Sequence, residues 1–113
     1  MDKKIMVLVT ITFLFLTGCT GLVGGKEFFE KINSLESTLS YEDWKTAQSE
    51  VDALDHVYHE KVWKLQLLGD ESEYEGMFQS LERLKAAIDQ QDATQALVEL
   101  ATIRGILEGI YSL

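Results

Sequence analysis

Four runs of apolar residues, each with the three-and-four spacing of one helix face, fill a chain of 113 residues that contains no proline. The first stripe is Phe28, Phe29, Ile32, Leu35 and Leu39, and the second is Trp44, Ala47, Val51, Leu54, Tyr58, Val62, Leu65 and Leu68. Tyr74, Met77, Phe78, Leu81, Leu84 and Ile88 form the third, and Ala96, Leu97, Leu100, Ile103, Leu107 and Ile110 the fourth. No stretch alternates as a strand would. A stripe of this kind must be buried against another, and short connections make sequential helices antiparallel neighbours. The expected fold is all-α: an antiparallel four-helix bundle built from two helical hairpins, after an N-terminal signal or anchor segment.

Boundary signals agree with that reading. Ser40 followed by Asp43 resembles a capping box that starts the second helix. Gly69 stands where a left-handed C-cap would end it, and Asp70 or Ser72, each with Glu three residues on, starts the third. Asp89 to Asp92 reads as the polar turn before the fourth. A shift of 49 residues lays the first pair of stripes on the second: Phe29 falls on Phe78, Leu35 on Leu84, Asp43 on Asp92, Ala47 on Ala96 and Glu50 on Glu99. Any two amphipathic hairpins share a period, so five identities leave duplication and coincidence equally open.

The first 26 residues carry different information. Lys3 and Lys4 precede an uncharged apolar run of 12 residues, Ile5 to Leu16, shorter than the ~20 that span a bilayer. The run ends in Leu16-Thr17-Gly18-Cys19, the lipobox pattern, with small side chains before the single cysteine of the chain. Acylation of Cys19 and cleavage before it are the expectation: residues 1–18 a lipoprotein signal peptide, 19–26 a glycine-rich tether, 27–113 the bundle. The alternative is an uncleaved membrane helix, since no charge occurs from Ile5 to Gly25. Both readings place the two lysines inside and the bundle on the extracytoplasmic face of the cell membrane. Removing residues 1–18 takes away Asp2, Lys3 and Lys4, which leaves 8 basic and 18 acidic residues, a charge of −10. Such a surface repels a polyanion, so no nucleic-acid partner is expected.

Trp44-Lys45-Thr46-Ala47, Trp63, the acidic turn Glu71-Ser72-Glu73, Leu81-Glu82-Arg83-Leu84 and Asp92 to Leu100 follow one another in an order that resembles a family of small membrane-anchored helical proteins of Gram-positive bacteria, catalogued as a domain of unknown function. The resemblance covers roughly Glu27 to Ile110. It implies a helical bundle behind an apolar anchor and brings no catalytic residue; members often lack a lipobox, so Cys19 is a departure that bears on the type of anchor.

Few residues suggest chemistry. His56 and His59, with Asp52 and Asp55, form a polar patch on the second helix that offers weak ligands for a divalent metal or small molecule. The other helices hold no histidine, so the ordinary reading is a solvated face. Glu71, Glu73, Glu75, Gly76 and Glu82 fall on EF-hand positions, but glutamate is too long for the first turn of that loop, and an acidic helix N-terminus is expected. Ala101, Gly105 and Gly109, four apart, suggest close packing against Trp44 or Trp63, or else a groove for a partner helix. Val57, Trp63 and Leu67 lie off the main stripe and form a binding patch only if exposed. No cofactor motif, phosphate loop or nucleophile elbow is present, and Cys19, once acylated, is no nucleophile. The expected function is non-enzymatic: a lipid-anchored module acting through a protein partner, with metal or small-ligand binding at His56/His59 as the alternative.

Overall fold

The computed structural model describes residues 25–112, with Lys3 apart from them. The signal segment, Cys19 and most of the tether lie outside the described residues. Four helices follow in order: α1 Gly25–Ser40, α2 Trp44–Leu68, α3 Glu71–Asp89 and α4 Ala93–Tyr111. Helix α1 begins two residues inside the stretch expected as tether. The four pack as a bundle of two hairpins, with α2 against α3, α1 against α4, and a small diagonal contact between α2 and α4.

The stripes supply the core. Phe28, Ile32, Leu35, Leu54, Leu65, Met77, Leu81, Leu84, Ile88 and Ile103 are fully buried, and full burial of a large aliphatic side chain contributes roughly 1.5–3 kcal/mol. Val57, off the main stripe, is buried as well. Phe29, Trp44, Val62, Tyr74 and Leu97 are partly buried against this core, while Leu68, the last residue of α2, and Phe78, one position round from Met77, stay exposed at 41% and 44%.

The closed ends of the two hairpins match atom for atom at the 49-residue shift. Glu42 and Gln91 both adopt left-handed backbone, φ 54° and 55°. Asp43 N–H bonds Thr38 C=O (3.2 Å) as Asp92 N–H bonds Ala87 C=O (2.9 Å). Both aspartates then cap the following helix: Asp43 accepts from Thr46 N–H and Asp92 from Gln95 N–H. The second helix therefore starts at Asp43 and not at Ser40, whose hydroxyl instead donates back to Glu36 C=O at the end of α1. A left-handed residue at 42 reverses the chain sharply enough to bring the next side chain, not Ser40, over the free amides. A left-handed residue past a helix end followed by an aspartate cap is a common connection between antiparallel helices, so the shared turn agrees with duplication without deciding it.

The α2–α3 turn is built otherwise. Gly69 has extended backbone, φ −106° and ψ 171°, not the left-handed cap expected. Its missing side chain serves packing: a Cβ there would lie 3.1 Å from Ile110 Cγ1 and 3.2 Å from Leu65 O. Asp70 and Glu73 form a reciprocal capping box at the start of α3.

Two expectations follow. Glu42→Gly and Gln91→Gly should each raise stability, by similar amounts of roughly 0.5–1 kcal/mol in urea titration, because a non-glycine residue in left-handed backbone is strained. Unequal signs would mean the two turns are not equivalent. Asp43 and Asp70 are held below the ordinary carboxylate value of 3.8 by hydrogen bonds from the Thr46 and Ser72 side chains and from backbone amides. A lowered folded-state pKa contributes stability that is present above 3.8 and lost as pH falls through the folded value. Asp70→Asn, which caps without titrating, should therefore flatten the acid limb of the melting-temperature profile below that pH.

Candidate functional site

Most polar side chains in this bundle bond within their own helix or cap its end, and a smaller set ties one helix to another. Within each hairpin, one glutamate at equivalent positions ties the two helices. Glu50 accepts from the Ser34 and Thr38 hydroxyls, and Glu99, its side chain only 8% exposed, accepts from Arg83 Nε and Gln95 Nε2, each at 3.0 Å. Arg83 Nη2 also donates to Ser80 Oγ. Ser34 and Arg83 are themselves 49 apart, so equivalent positions bond the two glutamates with different chemistry.

Between hairpins, Lys85 of α3 pairs with Asp55 of α2 at 2.8 Å, and Glu36 of α1 pairs with Arg104 of α4. Position 36 shifted by 49 is 85, and 55 shifted by 49 is 104. The two ion pairs are the same contact with the charges exchanged. Burial lowers the affinity of Lys85 for its proton, but hydrogen bonds and charge from Asp55 and Glu82 outweigh that and lift its pKa above the ordinary lysine value.

The sequence-predicted residues scatter around this frame. His56 Nε2 lies 3.0 Å from Glu60 and His59 Nε2 lies 3.4 Å from Asp55, so each histidine has its own carboxylate four residues away. Asp52 is exposed, and Asp55 is committed to Lys85. Among the described residues, no group of three His, Cys, Asp or Glu side chains is placed to hold a metal. Glu71 to Glu75 lie in the first turns of α3, with Glu73 engaged in the capping box, and no loop forms there.

Grooves of about 140 and 270 Å³ lie on the α1–α2 and α1–α4 faces, below the roughly 300–1,000 Å³ of ligand pockets. Ala101 lines the larger one with Glu36, Leu97 and Arg104. Ala101, Gly105 and Gly109 are exposed, and the expected packing of the glycines against Trp44 or Trp63 does not occur. A Cβ at Gly105 would meet nothing within 4 Å, and at Gly109 only Glu73 Oε2, at 3.6 Å. The sequence pattern alone cannot distinguish a glycine that admits a neighbour from one that faces water.

What sequence reasoning left conditional is the exposed apolar set. Trp63 and Leu67 lie one helical turn apart on the outer face of α2, 56% and 76% exposed, with Leu68 beside them. Among the described residues, no helix is long and apolar enough to cross a membrane.

Residues 25–113 match the family model of DUF4363, a domain of unknown function, and the match spans all four helices. Neither the curated proteins nor the solved structures contain a match.

Gly105→Ala and Gly109→Ala should each stabilise the bundle by about 1 kcal/mol in denaturant titration, since each removes a helix-interior glycine without a clash. Destabilisation by either would show that the glycines serve internal packing after all.

Proposed function

The chain belongs to the DUF4363 family, and we propose that it is an extracytoplasmic lipoprotein whose helical bundle acts as a non-enzymatic protein-interaction or structural module. The observation that carries this reading is Leu16-Thr17-Gly18-Cys19, placed directly behind two lysines and a 12-residue apolar run. A lipoprotein transferase would add a diacylglyceryl group to the Cys19 thiol, and a peptidase that needs small side chains before the cut would release residues 1–18. The resemblance to anchored proteins of Gram-positive bacteria points the same way.

The interior of the bundle supports a structural role. Its core is apolar from end to end, and the most buried carboxylate, Glu99, is fully engaged with Arg83 and Gln95. Function then falls to the surface. The acidic exterior, −10 after cleavage, favours a partner with a basic face and keeps most of the domain away from anionic headgroups.

Mass spectrometry of protein extracted from membranes tests the anchor. The expected N-terminus is a diacylglyceryl-modified Cys19, and Cys19→Ser should accumulate as the uncleaved precursor. An intact Met1 with a free thiol would defeat the lipoprotein reading and leave the uncleaved helix.

A further inference from the structure

Helix α3 turns an acidic line with an aromatic ring in its middle toward solvent. Glu71, Glu75, Phe78, Glu82 and Asp89 recur at intervals of three, four and seven residues, which lays them along one side of the helix. All five are exposed, Phe78 by 44%. Most carboxylates of the domain are engaged by a cap, a cation or a hydroxyl. On this line Glu82 meets Lys85 at 3.0 Å, while Glu71, Glu75 and Asp89 have no side-chain partner among the described residues. The fold gives a reason for Glu71, which complements the positive end of the α3 dipole. It gives none for Asp89, the last residue of α3, where the dipole is negative and the last turn holds no base. Phe78 rests on the buried Tyr58 of α2, ring centres 6.3 Å apart, and His59 stands edge-on to the same tyrosine at 5.3 Å. The neighbouring cations are already committed: Lys85 lies between Asp55 and Glu82, and Arg83 turns to Glu99. Across the seam Asp52 is exposed one turn before Asp55, which extends the acidic border onto α2.

We propose that this side of α3 docks a basic amphipathic helix of a partner protein, with an apolar residue on Phe78 and cations one and two turns to either side. This deepens the interaction reading above and rests on it. Charge selects the occupant. A second copy would bring acids against acids, and an anionic lipid surface is repelled for the same reason. The three-and-four spacing of the line matches the spacing at which another helix presents its own side chains. A supported aromatic ring at the centre and charges around it are the parts of an interface core and its rim.

The test uses the full chain in nonionic detergent and a labelled alanine-rich helical peptide with one central leucine and lysines one and two turns to either side. Binding is read by fluorescence anisotropy. Glu71→Gln with Glu75→Gln and Asp89→Asn should weaken it roughly tenfold, since three rim charges contribute up to ~1 kcal/mol each. Glu30→Gln with Glu42→Gln and Glu108→Gln, which carries the same net charge, should stay within about twofold of the parent. Phe78→Ser, and the peptide with alanine for its leucine, should each weaken binding about fivefold or more. None of these side chains is in the core, and thermal melts check that every variant folds. Equal losses from the two triple variants would mean attraction to net charge alone and overturn the docking face. No binding by the parent, or no loss on replacing the leucine, overturns it as well. Self-association of the chain that Phe78→Ser abolishes would assign the face to a second copy and overturn the basic partner. Each of these leaves the lipoprotein reading standing, because that is decided by the mass of the N-terminus.

Discussion

Neither hairpin of this protein can bury its own apolar face, and the structure follows from their covering one another. Helices α1 and α2 meet along one hairpin, but Leu35, Leu39, Ala47, Val51, Leu54 and Tyr58 belong to one core cluster with the buried residues of α3 and α4. The hairpin of α3 and α4 presents the corresponding row, and the two interlock with α2 on α3 and α1 on α4. Apolar burial does not choose among registers with similar area. Direction comes from the polar pairs set around the seam. Lys85–Asp55 and Glu36–Arg104 tie the hairpins at two related places, and their exchanged signs matter. Were both hairpins to carry the same charges, two identical copies could pair equally well between chains. With an acid on α1 and a base at the same position on α3, each hairpin is made complementary to the other rather than to itself. Solvent-accessible pairs contribute only up to ~1 kcal/mol each, so their contribution is to choice of partner more than to total stability.

Much of this was legible in the sequence because it depends on period. Three-and-four spacing located all four helices, and the 49-residue shift paired positions whose equivalence became plain only in the turns. Glu42 and Gln91 are dissimilar residues that adopt the same left-handed backbone, so no comparison of identities would align them as a turn signal. Ser40 looked like a cap because it stood three residues before an acid; the actual cap was that acid. Glycine was the least legible residue. Gly69 was expected for its conformational freedom and instead leaves tight room beside Ile110, whereas Gly105 was expected to admit a neighbour and meets none. A pattern in one chain records where small residues stand, and only packing reveals whether anything occupies the space beside them.

The histidine patch shows the same limit. Spacing put His56, His59, Asp52 and Asp55 on neighbouring turns, which is what a ligand cluster requires, but Asp55 faces an adjacent helix and serves Lys85. The hairpin interface uses an acid at that position, and the same oxygen also lies 3.4 Å from His59 Nε2. Candidate-site residues are read more reliably when the needs of the fold have been subtracted first. By that measure Glu50, Glu99, Asp55 and Glu36 belong to the scaffold, and the exposed apolar side chains, Tyr41, Phe78 and Val98 as well as Trp63, Leu67 and Leu68, are what remains.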